Sequence, residues 1–341
     1  MKKYKHGMVL GKFYPPTNGH KHLIDTALEQ CETVTLFMCS LERETIPGRL
    51  RYEWLHEMYV DNQSIDIVWI FDELPQSPEE HGDKDDFYKL WCDVVNRDVD
   101  NDYNGKLDVL FTSEKYGEEF SQYLGIQHVM VDLYRRTHQV SGTAVRTNPI
   151  ENWEHIPDVV KPYFKKKIVI MGPESTGKST LTKQLAEHFN GDLVGEFGRD
   201  YTDVNPAKEM VVDDFENIAQ AHDLEIEVAM ERGERPLIFI DTDALTTKLF
   251  GEMYLGDNFK SEVIDNIIAK QQFDLVLLCD IDTPWVDDGT RDFPNQVDRE
   301  RHLHKIATGL TSRGIPYKII RGNYEERFEL AKFHVHTLIS N

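Results

Sequence analysis

The sequence predicts an α/β protein made of two tandem three-layer domains, each with a parallel sheet. Two stretches of the chain, beginning near residue 7 and near residue 167, show the order of strand, glycine-bearing loop and helix that such domains require. Three prolines and a run of lysines punctuate the region between them. The length of 341 residues also favours two domains over one. We therefore expect a first domain over 1–155, a linker over 156–165 and a second domain over 166–341.

The composition is that of a folded, acidic protein. Hydrophobic residues make up 40% of the chain, which is enough for a sizeable core. The 38 lysines and arginines stand against 60 aspartates and glutamates, and the net charge of −22 argues against a nucleic-acid partner. The four cysteines are scattered, and no run approaches the ~18 apolar residues of a membrane span. We therefore expect a cytoplasmic protein with no membrane partner, and the sequence leaves self-association into a homo-oligomer open.

The second stretch contains a complete phosphate-binding motif. Residues 172–179 read GPESTGKS, which fits G-x-x-x-x-G-K-[ST] at every position, and the apolar residues 168–171 before them predict a strand. In such a loop backbone N–H groups surround the phosphates of ATP, Lys178 neutralises the β and γ charge, and the Ser179 hydroxyl ligates Mg²⁺. We expect the ATP contacts to come from Gly172, Glu174, Ser175, Thr176, Gly177, Lys178, Ser179 and Thr180.

Two carboxylates follow the next apolar strand of this domain. Residues 236–240 predict a buried strand that delivers Asp241 and Asp243 to the carboxyl edge of the sheet, where ligands bind in open α/β folds. We expect Asp241 to hold Mg²⁺ with its water and Asp243 to orient or deprotonate the acceptor hydroxyl, although the two roles could be exchanged. The alternative for either residue is a cap on the helix that begins at Ala244.

A further strand, over 273–279, leads to a second group of polar side chains. Trp285, Asp287 and Arg291 are close in sequence, and their side chains suit stacking on a flat ring and hydrogen bonds to a diol and a phosphate. Beyond them, Arg299 and Arg301 are candidates for contact with the transferred phosphate. The alternative for these two arginines is a role as exposed helix charges.

The first stretch contains a candidate anion site of another kind. After a short strand the residues GKFYPPTNGH end in His20, and apolar residues at helical spacing as far as Cys31 place this histidine at a helix N-terminus. Ser141, Thr143 and Arg146 have spacings of two and three, from which they can cap a helix and contact one triphosphate together. For the two hydroxyls a purely capping role is the alternative.

Together these motifs resemble a known family. The glycine–histidine loop paired with the S-x-T-x-x-R signature is similar to the nucleotidyltransferase superfamily with the H-x-G-H motif, whose α/β domain is Rossmann-like. With Trp153, the phosphate loop and the runs EFGRD, IDTD and WVDDG added in this order, the chain resembles the NadR-type bifunctional enzymes over nearly its whole length. That family joins a nicotinamide-mononucleotide (NMN) adenylyltransferase to a ribosylnicotinamide kinase.

The resemblance implies two reactions in series. The second domain, a P-loop kinase, would phosphorylate nicotinamide riboside at its 5′-hydroxyl with ATP and Mg²⁺, and the first would join the resulting NMN to the adenylyl group of another ATP, giving NAD and pyrophosphate. In the first domain it implies hydrogen-bond donors to the phosphates at His20, Lys12, Arg146, Ser141 and Thr143. It also implies ATP contacts at Gly11, Phe13, Thr17 and Gly19. Weaker implications are a nicotinamide contact at Trp91 and nucleotide contacts over 113–117. In the second it implies a riboside pocket of Glu196, Arg199, Asp200, Trp285 and Asp287.

Two departures from the family pattern matter. Thr17 stands where the pattern usually has its first histidine, so a neutral hydroxyl replaces an imidazole. Some members also carry an N-terminal helix-turn-helix, for which the strand predicted near residue 7 leaves no room, and we expect no transcriptional role. The alternatives are a first domain that is inactive or uses another phosphate acceptor, and a protein that senses ATP and NAD without turnover.

Overall fold

The computed structural model describes residues 2–71, 73–102, 106–134, 136–137, 139–204, 209–256, 259–285, 293 and 295–340. The chain divides into two compact units, Met1–Tyr163 and Phe164–Asn341. Within the described residues each unit holds one sheet of five parallel strands, so the predicted fold class of two tandem α/β domains is confirmed. Among the described helices, none combines the length and the apolar character that crossing a membrane requires.

The strands of the first unit surround a central β1. They are β1 (Tyr4–Gly11), β2 (Cys31–Cys39), β3 (Ile65–Ile70), β4 (Val109–Thr112) and β5 (Gln127–Met130), in the spatial order β3-β2-β1-β4-β5. Met8 of β1 pairs with Thr35 on one side and with Leu110 on the other. The strand order reverses between β1 and β4, and ligands bind outside the carboxyl ends of the strands at such a point. The fold therefore places a binding crevice after Gly11 and Thr112.

Helices cover both faces of this sheet. They are α1 (Asn18–Gln30), α2 (Gly48–Met58), α3 (Pro78–His81), α4 (Lys84–Asp102), α5 (Tyr116–Leu124) and α6 (Gly142–Thr147), with a 3₁₀ turn at Trp153–His155. The short helix α7 (Lys161–Phe164) spans the point in the sequence where the first unit ends and the second begins. Successive strand residues point to opposite faces, so Val9 packs with Ile24 of α1 while Met8 packs with Val95 of α4. The two clusters are the upper and lower layers of the core.

The expectation that the first helical pattern runs as far as Cys31 is wrong. Helix α1 ends at Gln30, and Cys31 already has the extended backbone (φ −110°, ψ 149°) that opens β2. Cys31 pairs with Tyr4 of β1, and the β-branched residues Thr33 and Val34 continue the strand. Parallel pairing with β1 therefore decides the conformation of this residue over its helical spacing.

The second unit is also built around its first strand. Its strands are β6 (Lys166–Met171), β7 (Asp192–Val194), β8 (Leu237–Asp241), β9 (Leu275–Cys279) and β10 (Lys318–Ile320), in the spatial order β10-β9-β6-β8-β7. Its helices are α8 (Lys178–Phe189), α9 (Phe197–Val204), α10 (Val212–Arg232), α11 (Ala244–Leu255), α12 (Glu262–Lys270), α13 (Gln296–Ser312) and α14 (Tyr324–Ile339). The carboxyl ends of β6, β8 and β9 lie side by side, because β6 pairs with both of the others.

The central strands of this sheet are buried on both faces. On one face, Val169 and Ile240 pack with Phe215 of α10 and Ile306 of α13. On the other face, the ring of Phe239 stacks on Phe189 of α8 at 5.9 Å between centroids. Strands covered on both sides read as continuous apolar runs, which is why 168–171 and 236–240 were recognisable in the sequence.

Candidate active sites

A cavity of about 730 Å³ opens at the carboxyl ends of β1 and β4 in the first unit. This volume is typical of small-molecule sites. The cavity is lined by ten of the residues that the sequence assigned to the first site, namely Gly11, Lys12, Phe13, Thr17, Gly19, His20, Trp91, Ser141, Thr143 and Arg146. The structure therefore brings the two halves of the signature together, although they are more than a hundred residues apart in sequence.

The N-terminus of α1 holds His20 by a reciprocal cap. Thr17 is the N-cap residue, and its hydroxyl accepts a hydrogen bond from the His20 backbone N–H at 3.3 Å. In return, Nδ1 of the imidazole accepts from the Thr17 backbone N–H at 3.1 Å and lies 3.0 Å from the Thr17 hydroxyl oxygen. This is a capping box with a histidine at the position usually held by Glu or Gln. A nitrogen that accepts from a backbone N–H carries no proton, so these bonds assign the neutral ring a proton on Nε2.

The same loop buries two of the predicted ATP contacts. Thr17 is 2% exposed, and its hydroxyl is engaged in the cap of α1. Phe13 is 1% exposed with a left-handed backbone (φ 46°), and its ring packs edge-on against His20 at 5.2 Å between centroids. Both residues therefore hold His20 by direct contact. Thr17, which replaces the first histidine of the family pattern, leaves His20 at the N-terminus of α1.

Arg146 is oriented by Tyr14, a residue that the sequence reasoning did not single out. The guanidinium carbon lies 3.9 Å from the centre of the Tyr14 ring, and Nη1 donates to the Tyr14 carbonyl. Nη2 donates to the Thr143 hydroxyl at 3.1 Å. A side chain at Gly142 would place its Cβ 2.7 Å from the Tyr14 carbonyl oxygen, so only glycine allows this approach. Ser141 caps α6 by accepting from Ala144, which is the alternative role kept for it.

Lys12 lies in a chain of ion pairs at the cavity wall. Its Nζ is 3.3 Å from Oε1 of Glu44, and the lysine side chain is 40% exposed. Oε2 of Glu44 lies 2.5 Å from the guanidinium of Arg51, whose side chain is fully buried. Burial raises the pKa of Glu44, but the Leu41 N–H, Arg51 and Lys12 together outweigh it, and the pKa lies below its ordinary value. Glu44 is therefore ionised at neutral pH.

Trp91 lines the cavity from α4 but is largely covered. It is 6% exposed, it packs in the core cluster with Phe87, and its indole N–H donates to the Pro75 carbonyl at 3.0 Å. Of the predicted nucleotide contacts over 113–117, the lining residues are Ser113, Glu114 and Tyr116. Stacking of nicotinamide on Trp91 stays a prediction.

The phosphate loop of the second unit joins β6 to α8. Its backbone bends at Gly172, Ser175 and Gly177, which have positive φ values of 150°, 57° and 77°. A Cβ at Gly172 would lie 2.9 Å from the Cys279 carbonyl oxygen, so the first glycine is required by the neighbouring strand. The Thr176 hydroxyl and the Lys178 ammonium both donate to the Pro173 carbonyl, at 2.8 and 3.1 Å. The loop thus closes on itself and presents the N-terminus of α8, which is a site for anions.

Asp241 ends β8 beside this loop. It is 2% exposed, and its carboxylate hydrogen-bonds the Ser179 hydroxyl. Burial and the charge of Glu196 raise the pKa of Asp241 to about 6, against Lys178 and Ser179, which lower it. Its Oδ1 is buried and finds no hydrogen-bond partner among the described residues. The Asp241 carboxylate and the Ser179 hydroxyl together are a suitable pair of oxygen ligands for a hard cation such as Mg²⁺.

Asp243 does not share this arrangement. It is the N-cap of α11, and its Oδ1 accepts from both the backbone N–H and the hydroxyl of Thr246, at 2.9 and 2.8 Å. The residue is 3% exposed. These contacts favour the capping alternative for Asp243, because one of its carboxylate oxygens already accepts two hydrogen bonds inside the protein, and a catalytic role for this residue stays a prediction.

The predicted riboside pocket is partly described. Glu196 and Arg199 form an ion pair at 3.3 Å. The charge of Glu196 raises the pKa of Asp241 and that of Arg199 lowers it, so both residues lie near Asp241 at the same edge of the sheet. Asp200 is exposed, and Trp285 is half-buried. The other two predicted contacts lie outside the described residues: Asp287 and Arg291.

Two arginines of α13 differ in their surroundings. Arg299 is 3% exposed, and its Nη2 donates to the Thr283 carbonyl at 3.2 Å. The Thr283 hydroxyl donates in turn to the Ser175 carbonyl of the phosphate loop at 3.3 Å. Arg301 is 67% exposed and pairs with Asp298 at 3.4 Å, so it fits the alternative of an exposed helix charge.

The sequence reasoning missed one residue that braces the phosphate loop. Arg327 of α14 is 2% exposed and donates to three carbonyl oxygens, those of Thr176, Gly322 and Asp280, at 2.7, 2.7 and 2.8 Å, and to the carboxylate of Asp282. No local pattern marks it, because Thr176 is 151 residues away in sequence. In the first site, the sequence reasoning also missed Tyr14, Glu44 and Arg51, because the residues that they contact lie far away along the chain.

Comparison with known sequences decides the family. The chain is 32% identical to the trifunctional NAD biosynthesis/regulator protein NadR of Escherichia coli K12, over 94% of this chain and 80% of that protein. The NadR protein of Salmonella typhimurium LT2 gives the same identity and the same coverage. The chain belongs to the NadR family. The predicted resemblance is confirmed.

Domain models and solved structures of NadR proteins agree with this membership. Residues 167–327 match the family described as an AAA domain, and residues 7–69 match the citrate lyase ligase C-terminal domain. A NadR protein in complex with NR superposes with a TM-score of 0.75 at 21% identity, and one in complex with NAD and AMP-PNP with 0.74 at 22%. Both cover 100% of this chain and 98% of their own. The fold of both units is therefore that of NadR proteins.

Proposed function

We propose that the chain makes NAD from nicotinamide riboside in two ATP-dependent steps. The second unit phosphorylates the riboside to NMN, and the first transfers the adenylyl group of ATP to NMN with release of pyrophosphate. The proposal rests on one observation, the presence in one chain of two phosphate sites of different construction. One is the loop of Lys178 and Ser179 beside the buried Oδ1 of Asp241, which has no hydrogen-bond partner in the described part of the chain, and the other is the cavity lined by His20 and Arg146. Membership of the NadR family supports pairing these two activities.

In the kinase reaction the 5′-hydroxyl of the riboside attacks the γ-phosphorus of ATP. The new O–P bond forms as the bond to ADP breaks, ADP leaves with the electron pair, and the hydroxyl proton is released to solvent. Lys178, buried at the N-terminus of α8, neutralises the β- and γ-phosphates. The Glu196–Arg199 pair offers a carboxylate to the ribose hydroxyls beside the loop. Asp243 caps α11, whereas Asp241 hydrogen-bonds Ser179 of the loop, and this contact supports Asp241 as the carboxylate that acts at the phosphates.

Mg²⁺ fits the oxygen ligands of this site. The Ser179 hydroxyl and the Asp241 carboxylate would hold it, and the buried Oδ1 that lacks a partner among the described residues is the position such an ion satisfies. When bound, the ion would supply positive charge that neutralises the phosphates of ATP during the transfer.

In the transfer reaction a phosphate oxygen of NMN attacks the α-phosphorus of ATP. The new P–O bond forms as the bond to pyrophosphate breaks, and pyrophosphate leaves with the electron pair. The NMN phosphate is already an anion, so the protein mainly positions it and stabilises the growing charge. His20 supplies an Nε2–H, Arg146 a guanidinium held by Tyr14, and Lys12 an ammonium, all at one cavity.

The alternatives are a first unit that is inactive or uses another phosphate acceptor, and a chain that senses ATP and NAD without turnover. Thr17 suggested the first of these. What supports turnover instead is that the Thr17 hydroxyl caps α1 while His20, Arg146 and Lys12 line the cavity together. The cytoplasmic location stays part of the proposal, supported by four buried cysteines that are free of disulfides.

The test is to incubate the purified chain with nicotinamide riboside, ATP and Mg²⁺ and to separate the products chromatographically. We expect NAD from the wild type, neither product from Lys178→Ala, and accumulation of NMN with His20→Ala. Matched controls are Lys183→Ala on the exposed side of α8 and His56→Ala on α2, which should behave as wild type. Accumulation of NMN by the wild type would refute the assignment of the first unit. No phosphorylation of the riboside would refute that of the second.

A further inference from the structure

One buried arginine, Arg51, connects two of the cations at the first cavity. Arg51 lies on α2, outside both motifs, and its side chain is fully buried. Nη1 donates to the Lys12 carbonyl at 2.8 Å, and Nη2 donates to Glu44 at 2.5 Å. Its guanidinium carbon lies 4.9 Å from the centre of the Tyr14 ring, the ring on which Arg146 also lies. One side chain thus contacts the supports of both Lys12 and Arg146.

The net charge of the group formed by Lys12, Glu44 and Arg51 depends on Arg51. Glu44 lines the cavity and is shared, with Oε1 toward Lys12 and Oε2 toward Arg51. Lys12 and Glu44 alone would be a neutral pair, and a neutral pair gives little attraction for a triphosphate. With Arg51 the three groups carry a net charge of +1. Glu44 is 7% exposed and Arg51 is fully buried, whereas Lys12 is 40% exposed, so Lys12 presents the surplus charge.

We propose that Arg51 is a positioning residue of the adenylyl-transfer site, which neutralises Glu44 and so leaves the charge of Lys12 available to the triphosphate of ATP. The proposal rests on the function proposed for the first unit. Arg51 is not among the residues that line the cavity, so it acts on ATP through Lys12 and Glu44.

The first experiment compares a variant that lacks the positive charge of Arg51 with a double variant that also lacks the negative charge of Glu44. NAD formation is measured from NMN and ATP, which bypasses the kinase step. Arg51→Met is expected to raise the KM for ATP about tenfold to a hundredfold, as for the loss of one charged hydrogen-bonding interaction. The double variant Arg51→Met with Glu44→Gln restores the net charge of +1 at Lys12 and is expected to recover most of that loss. A merely structural arginine predicts the opposite, because the double variant loses more native contacts than the single one.

Three controls separate charge from folding. Arg49→Met changes an arginine on the same helix whose side chain is 81% exposed, and it should leave the KM for ATP unchanged. Arg51→Lys keeps the charge and should recover part of the loss. Arg51→Gln keeps a donor for the Lys12 carbonyl without the charge, and it replaces Arg51→Met if that variant does not fold. Near-ultraviolet circular dichroism checks the fold of each variant.

Two results would overturn the proposal: an unchanged KM for ATP in Arg51→Met, or no recovery in the double variant. A wild type that makes no NAD from NMN would instead refute the function of the first unit. Equilibrium binding of a non-hydrolysable ATP analogue, in the full chain carrying Lys178→Ala, makes the same comparison without turnover. There the expected order of affinity is wild type, then the double variant, then Arg51→Met, and equal affinities would overturn the proposal even if NAD is not formed.

Discussion

Replacing Arg327 by methionine should destabilise the second unit and leave the transfer reaction of the first unit intact. Methionine keeps the apolar stem but removes all four described hydrogen bonds of the guanidinium. Two of their acceptors are carbonyls at the heart of the kinase site, on Thr176 of the phosphate loop and Asp280 after β9. The substitution therefore releases the loop from the strand beside it.

The expected decrease in the free energy of unfolding follows from the burial of Arg327. Removing one member of a buried ion pair costs about 3–5 kcal/mol, because its partners are left without hydrogen bonds. Asp282 is 37% exposed and can return to water, so the lower end, about 3 kcal/mol, applies here. For a domain of this size each 1 kcal/mol lowers the unfolding midpoint by roughly 2–4 °C. We therefore expect a decrease of roughly 6–12 °C.

The assay follows both reactions in one heated sample. After heating to increasing temperatures, riboside phosphorylation reports the second unit and NAD formation from NMN reports the first. The matched control is Arg321→Met, which removes an ion pair to Asp280 from a side chain that is 65% exposed and should cost at most about 1 kcal/mol. The reasoning is refuted if Arg327→Met shifts the kinase midpoint no more than this control does, or if both midpoints decrease equally.

Three further outcomes are expected. Asp241→Asn should lower riboside phosphorylation about a hundredfold or more while NAD formation from NMN stays at the wild-type rate, and an unchanged kinase rate would contradict the Mg²⁺ assignment. Thr17→Val removes the hydroxyl of a helix cap, so it should cost about 1 kcal/mol in urea unfolding and reduce NAD formation far less than His20→Ala does. A loss as large as that of His20→Ala would mean that the hydroxyl acts on the substrate. Burial, with Lys178 and Lys305, lowers the pKa of His302 from 6.5 to about 3. Its contribution to stability is therefore complete above pH 6.5 and decreases as the pH falls toward 3. Between pH 7 and pH 5 the unfolding free energy of the wild type should decrease by about 2 kcal/mol more than that of His302→Leu, and parallel curves would contradict the shifted pKa.

The sequence predicted those parts of the sites that one continuous segment builds. The phosphate loop needs its glycines, Lys178 and Ser179 at fixed spacing, because one turn of backbone and one helix N-terminus hold them. The loop before α1 is local in the same way, since the Thr17–His20 cap spans three residues. The fold class was equally legible, because strands buried on both faces read as apolar runs.

Where a side chain has two local roles, the sequence left both open, and the structure shows which of them the side chain fills within the protein. Asp243 and Ser141 each follow a pattern that suits a helix cap as well as a ligand contact, and their carboxylate and hydroxyl oxygens accept from the helices they precede. Asp241, two residues before Asp243, faces Ser179 instead, because it still belongs to β8. The end of the strand, which no residue pattern marks, separates the two roles.

By itself the sequence determined the fold class, the two phosphate motifs and the family that they resemble. Only the tertiary structure showed what holds those motifs in place. Arg327 reaches the phosphate loop from 151 residues away, and Arg51 reaches Lys12 across 39. Spacing along the chain encodes geometry only over the few residues of a turn or a helix, whereas these contacts depend on the path of the whole chain through the sheet.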